Sequence, residues 1–292
     1  MSRVLSVVAL IGAAALMSGC SIFDKNGSNN GPTAPDTTTP VKYTALGASD
    51  AVGFGSSIGC LPFTQCENGT GYVQIVTRRL RESREVALSN LGIPAAVLSP
   101  KIQALATQYG RLVPANFIDQ ELPFLPPAST LVTVFGGAND VNALGDAVKK
   151  GAAGGDVVGY IDSQTRAFGA DVDRLVQAVR TAAPSAYVLI MNVPNMAGLP
   201  FANAYSLQER QILQYISVSF SKELNRQAGS GIVVLDLMCD AQVYDPSAYY
   251  TDGFHPNDAG YEHLADRILA VVNGASSSAS SSCSQMTLVP NP

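Results

Sequence analysis

The sequence predicts an α/β fold, a parallel sheet sandwiched between helices, on three observations. Short apolar runs alternate with amphipathic helical stretches along the chain. Each run is apolar and ends near a turn signal, the pattern of a parallel strand covered on both faces. And 292 residues that are 47% hydrophobic suffice for one large core without demanding a second.

The runs lie at residues 43–47, 86–91, 131–135, 187–191 and 232–235 and predict five strands. Between them the helical pattern covers 72–82, 100–109, 171–182 and 207–227. Val172, Leu175, Val176 and Val179 share one face of the third helix, and Ser206-Leu-Gln-Glu209 opens the fourth as a capping box. A last helix follows Asn257 and gathers Tyr261, Leu264, Ala265, Ile268 and Val272 on one face, leaving His263 off it as a solvated residue. Residues 142–160, rich in Gly and Ala, read as a loop that either gates a site or makes a plain surface excursion. In such a sheet, ligands sit at the carboxyl ends of the strands.

Residues 42–273 form the domain. Residues 20–41 have the composition of a disordered tether, and 274–292 that of a disordered Ser-rich tail. Residues 1–19 read as an export signal: Arg3 supplies the positive start, and the apolar stretch 4–17 is too short to span a bilayer. The ending Leu16-Met17-Ser18-Gly19-Cys20 resembles the lipobox of bacterial lipoproteins, with Met17 departing from the usual Leu. That resemblance implies diacylation of Cys20 and a membrane anchor. Ser21, where an Asp would favour the inner membrane, points to the outer one.

The net charge of −5 carries no basic cluster, which argues against nucleic acid as a partner. Beyond Cys20 stand Cys60, Cys66, Cys239 and Cys283, an even number in an exported chain, allowing three connectivities. The short loop Cys60-Leu-Pro-Phe-Thr-Gln-Cys66 favours pairing Cys60 with Cys66, which leaves Cys239 for Cys283. A metal site is the alternative, disfavoured because no CxxC pair occurs and neither histidine is placed to complete one.

The chain holds only two histidines, and a hydrolase that shuttles protons near neutrality usually needs one. His255 lies in a turn three residues after Asp252, a spacing that can fold the carboxylate onto the imidazole. Ser49 follows the first strand in Gly47-Ala48-Ser49-Asp50 and is either a helix cap or a nucleophile. Asn139 follows the third strand in Gly136-Gly137-Ala138-Asn139-Asp140 and, alone, is a turn or cap residue.

Taken in order, these strings resemble the blocks of the SGNH hydrolase superfamily, the GDSL esterases and lipases, over residues 43–272. The resemblance implies a flavodoxin-like three-layer α/β/α sandwich around a central parallel five-stranded sheet. It implies a monomeric serine esterase without metal or cofactor, acting on carboxylic esters of short-chain acids or lipids. It assigns Ser49 as nucleophile, His255 as general base and Asp252 as the residue orienting it. Asn139, the Ser49 N–H and the Ala95 N–H would hold the oxyanion. Two departures stand out. Ala48 replaces the family's Asp beside the nucleophile, and Asn90-Leu-Gly92-Ile-Pro-Ala95 ends in Ala where the family has Gly, so Gly92 is the fallback donor. A carbohydrate acetylesterase shares the same machinery, and a catalytically dead surface-binding lipoprotein is the rival suggested by the two departures. Asn192-Val-Pro-Asn195 is either a substrate contact or a turn. Phe63, Phe117, Phe124 and Phe201 either line an acyl pocket or pin loops to the core.

Overall fold

The computed structural model describes residues 31–292 apart from Gln65. The export signal and Cys20 lie outside the described residues. Five strands form one parallel sheet: β1 Val41–Gly47, β2 Val86–Asn90, β3 Leu131–Phe135, β4 Tyr187–Met191 and β5 Ile232–Leu235. Their order is β2-β1-β3-β4-β5, with every adjacent pair parallel. The chain runs outward from β1 to β2 and then crosses to β3 on the other side. The carboxyl end of β1 is therefore a topological switch point, where loops diverge and leave a crevice.

Alternation along the strands divides the core in two. Tyr43, Ala45, Leu131, Phe135, Leu189 and Met191 face helices α1 (Tyr72–Arg81) and α6 (Asp258–Val272). Leu46, Val132, Val134, Val188 and Ile190 face α2 (Pro100–Gln108), α3 (Ala138–Lys149), α4 (Val157–Ala182) and α5 (Leu207–Asn225). This three-layer sandwich explains why the strands read as continuous apolar runs: both faces are buried. The capping box is present, with Ser206 and Glu209 each bonding the other's backbone N–H.

Two expectations are corrected. Residues 142–160 are mostly helix, because α3 occupies the first part and α4 begins at Val157, capped by Asp156. Val141, Leu144, Ala147 and Val148 give α3 a buried face at helical spacing. Its Gly145 permits close approach to α5: a Cβ there would sit 3.2 Å from Leu213 Cδ2.

The Ser-rich tail is packed rather than disordered. Ser277 Oγ donates to the Val234 carbonyl and Ser280 N to Asp236, while Gln214 Nε2 donates to the Val289 carbonyl at 2.6 Å. Met286 and Val289 are buried. The Ser277 hydroxyl and the Ser280 backbone find acceptors on and just after β5, so low hydrophobicity does not prevent ordering here. Ahead of β1, Arg84 holds the Asp36 carbonyl at 2.7 Å and Ala34 packs on the core, so the described end of the tether also lies against the domain.

Disulfides join Cys60 to Cys66 and Cys239 to Cys283. The second pins the tail beside β5 across 44 residues of sequence. On loop-closure entropy it should stabilise by about 4 kcal/mol and the short loop by about 2 kcal/mol. The expected outcome is that Cys239→Ser/Cys283→Ser lowers the unfolding free energy roughly twice as much as Cys60→Ser/Cys66→Ser. Denaturant titration of the two double variants checks the ranking.

Candidate active site

Ser49 lies two residues past the end of β1, in a turn that opens no helix: α1 begins only at Tyr72, with Gly71 as its cap. The cap reading therefore falls away. The Ser49 side chain, 6% exposed, instead points at the imidazole, with Oγ 2.8 Å from His255 Nε2. His255 Nδ1 lies 2.6 Å from Asp252 Oδ2. A carboxylate cannot donate, so Nδ1 carries the proton and Nε2 is left to accept the Ser49 hydroxyl hydrogen.

The turn that holds this pair is built by its own sequence. Asp252 Oδ1 accepts the backbone N–H groups of Phe254 and His255, which folds the carboxylate back over three residues. Gly253 adopts φ +68°, and a Cβ there would meet Phe201 N at 2.6 Å. Asn257 caps α6 and ties back to the Ser247 and Tyr249 carbonyls, fixing the angle at which His255 arrives. Burial works against the Asp252 charge, but hydrogen bonds from the His255 ring, its backbone and the Phe254 backbone outweigh it and keep the carboxyl below its ordinary range.

Of the donors assigned from sequence, Asn139 and Ala95 lie on the segments that follow β3 and β2, at the same carboxyl end of the sheet as Ser49. Asn139 is the second residue of α3, and its Nδ2 donates one hydrogen to the Ala96 carbonyl at 2.9 Å, leaving the other. Gly137 starts that helix at φ +107°, where a Cβ would lie 2.5 Å from Val193 Cγ2. The backbone N–H groups of Ser49 and Ala95 meet no acceptor among the described residues. Ala95 adopts φ +64°, the left-handed conformation that its Cβ penalises. Gly92, the fallback, is overturned: its N–H is taken by Asn90 Oδ1 at 3.1 Å.

The sequence reading missed three residues that set this geometry. Asn90 Nδ2 holds the Ala51 carbonyl at 2.6 Å, tying the turn after β2 to the one after β1. Glu121, fully buried, accepts the Gly47 N–H at 2.9 Å, and burial pushes its carboxyl well above the ordinary range. Asp140, beside Asn139, accepts the Leu98 and Ser99 N–H groups and so fixes the segment after Ala95. Ser99 in turn donates to Asp171 at 2.5 Å. Asn90 and Asp140 stand inside the quoted motifs and were available as signals. Glu121 has no such signal, since it reaches Gly47 across 74 residues.

Other expectations sort as follows. His263 is not solvated: its Nε2 pairs with Asp240 at 2.8 Å, and Arg267 bonds the same carboxylate oxygen at 2.5 Å. Its position off the apolar face meets a loop carboxylate after β5 rather than water. Asn192 accepts the Leu237 and Met238 N–H groups, and Asn195 caps a short helical turn. Both belong to the turn. A mostly apolar cavity of about 50 Å³ is walled by Asp50, Ala138, Phe254 and Pro256, the sequence neighbours of Ser49, Asn139 and His255, although none of the triad residues nor Asn139 lines it. Met196 and Tyr249 also line it, whereas Phe63, Phe117, Phe124 and Phe201 do not. Phe117 is core under Gly136, and Phe63 pairs edge-on with Phe124 at the surface. Among the described residues no group of three or more His, Cys, Asp or Glu is placed to hold a metal ion.

A profile described as the GDSL-like lipase/acylhydrolase family matches residues 45–263. Solved structures share the fold. A lipase from a goat rumen metagenome has a TM-score of 0.53 at 19% identity, over 79% of this chain and 96% of that one. An extracellular lipase from Streptomyces rimosus has 0.52 at 15%, over 79% and 99%. A variant acetyl xylan esterase from Geobacillus stearothermophilus has 0.51 at 16%, over 81% and 97%. No curated protein matches the chain.

Burial raises Asp140 to about 7, against the pull of the two backbone amides. Between the ordinary carboxylate range and about pH 7, the folded chain then binds a proton that the unfolded chain releases. This contribution to stability is complete at acid pH and is lost as the pH rises through about 7. Asp140→Asn should flatten that part of the stability profile, read as thermal midpoints at pH 5 and pH 8. An unchanged difference between the two midpoints would show that Asp140 does not titrate there.

Proposed function

The chain belongs to the GDSL-like lipase/acylhydrolase family, matched over residues 45–263, and from that premise we propose that this ester hydrolase cleaves carboxylic esters through an acyl-enzyme on Ser49. The observation that carries the reading is the unbroken chain from Ser49 Oγ through His255 to Asp252, at 2.8 and 2.6 Å.

In the first step His255 Nε2 takes the hydroxyl proton as Ser49 Oγ bonds to the carbonyl carbon. Negative charge moves to the carbonyl oxygen, within reach of the Ser49 and Ala95 N–H groups and the remaining Asn139 amide hydrogen. Such fixed donors stabilise the oxyanion without reorganisation. Asp252, held ionised, supports the imidazolium that forms. Collapse expels the alcohol, which leaves with the proton from His255, and the acyl group stays on Ser49. Water then attacks by the same route, giving its proton to His255; the bond from the acyl carbon to Ser49 Oγ breaks, Oγ takes that proton back, and the acid is released.

The cavity beside the triad is apolar and small, suited to the first few carbons of an acyl chain. It equally seats an acetyl group, so a carbohydrate acetylesterase is the second reading. The amide of buried Ser49, which meets no acceptor among the described residues, argues against an inactive binding protein, because a buried N–H left unpaired beside a nucleophile has a use in catalysis and a cost elsewhere. The proposal extends to the N-terminus: Cys20 carries lipid that anchors the domain to the bacterial membrane, the outer one where there are two. Cys20→Ala should release the protein to the soluble fraction.

Ser49→Ala and His255→Ala should each lower hydrolysis of p-nitrophenyl acetate on the order of 10⁴-fold and abolish fluorophosphonate labelling. Asn139→Ala should cost on the order of 10²-fold in kcat. His263→Ala should lose a little stability through the lost Asp240 contact, since Arg267 still holds that carboxylate, and keep turnover near wild type. A Ser49→Ala variant as active as wild type sinks the assignment. Rates on graded acyl esters against acetylated xylan separate the two substrate readings.

A further inference from the structure

The segments around the triad mouth leave large apolar side chains in water. Leu61 is 73% exposed, Phe124 64% and Phe63 56%, with Phe54, Ile58 and Tyr250 close to half exposed. Phe54 lies tilted against the His255 ring at 4.5 Å between centroids and edge-on to Tyr250. Cys60 N donates to the Val52 carbonyl, so the disulfide-closed loop that presents Leu61 and Phe63 rises directly from the nucleophile turn. Phe124 comes three residues after Glu121, which grips Gly47. At roughly 200 Å² for a large side chain, these six together expose roughly 650 Å², with Phe54 against Tyr250 and Phe63 against Phe124. That is the size of patch that marks an interaction site on a monomer.

Charge narrows the partner. In segments 50–64, 119–125 and 245–258 no Lys or Arg occurs, and the carboxyl groups that reach solvent are Asp119, Asp245, Asp252 and Asp258, while burial raises Asp50 and Glu121. Such a mouth repels anionic lipid, nucleic acid and acidic glycan alike. The most exposed member is Leu61, an aliphatic side chain without a ring face for a sugar or a polar atom to share with one. The described chain enters at Gly31 beside Ser230 and Gly231, at the sheet edge opposite the mouth. The described N-terminal segment therefore leaves the rim bare.

We propose that this rim docks the mouth onto the surface of an uncharged or zwitterionic lipid aggregate, presenting lipid-borne esters to Ser49. The inference rests on the ester-hydrolase reading only for what the docked surface supplies. Apolar side chains enter the interfacial layer, and binding scales with the apolar area that leaves water rather than with ion pairing.

The domain from Gly31 onward contains the whole sheet, both helical layers and both disulfides, and so serves for the test. Carrying Ser49→Ala to prevent turnover, it should float with phosphatidylcholine vesicles equally at 0.15 M and 1 M NaCl. Adding Leu61→Ser and Phe124→Ser should reduce partitioning by about tenfold or more, with the thermal midpoint unchanged because both side chains are exposed. Absence of vesicle binding overturns the proposal, as does binding that the two substitutions leave intact. A dimer that the substitutions dissolve, seen in sedimentation, assigns the rim to a second copy instead and also overturns it. The wild-type domain on p-nitrophenyl acetate reports separately on the esterase reading: inactivity there fails that reading and leaves the vesicle result to stand alone.

Discussion

The geometry of the site depends on side chains that satisfy the backbone of the turn after β1. That turn carries Ser49 out of the sheet without a helix to fix it, so its peptide groups need partners from elsewhere. Glu121 takes the Gly47 N–H, Asn90 takes the Ala51 carbonyl, and the Ile93 N–H reaches the Gly47 carbonyl at 3.1 Å. Two segments distant in sequence, 90–93 and the one carrying Glu121, thus hold one turn. The Ser49 hydroxyl meets His255 because its backbone has no other place to go.

The same staples explain why the two departures from the family pattern are tolerated. Ala48, in the place of an Asp, is 4% exposed and packs within the core cluster that includes Leu46 and Leu91. A carboxylate there would need its own partners. Asp50 instead brings a carboxyl to the cavity wall, where burial raises it and His255 opposes the shift. Ala95 adopts a conformation that Gly would accept at no cost. The Ala96 N–H bond to the Ile93 carbonyl closes its turn, and the Asn139 amide holds the Ala96 carbonyl from the other side. Strain of about 1–2 kcal/mol in one residue is held by bonds on both flanks.

Most of the fold was legible because burial on both faces writes a simple pattern. The starts and ends of β3, β4 and β5 coincide with the apolar runs, since Leu131, Tyr187 and Ile232 are the points where chain enters the two-sided core. α3 was not legible: Gly145 and the small residues beside it serve close packing on α5, yet in sequence they read as loop. The tail hid for the opposite reason. Its serines bond to strand-end carbonyls and Asp236, contacts that composition does not encode. At the site, the Asp252 to His255 spacing was readable as local geometry, and the Ser49 and Asn139 strings as motifs. Glu121 was not, because a single acidic residue in a surface-like loop gives no hint that its carboxyl is buried against Gly47.

Scarcity of histidine was a weaker guide than it looked, since both histidines hold a carboxylate. His255 pairs through Nδ1 with Asp252 and His263 through Nε2 with Asp240, at 2.6 and 2.8 Å. What separates them is the rest of each network. Asp240 is shared with Arg267, whose permanent charge already balances it. No hydroxyl among the described residues meets the other nitrogen of His263. Among the described residues Asp252 pairs with no cation but His255, so a proton arriving on that ring supplies the charge that compensates it. The other nitrogen of His255 faces the Ser49 hydroxyl. A histidine-carboxylate pair becomes a proton carrier when the carboxylate lacks another cation and the ring has a hydroxyl to draw on; at His263 neither condition holds.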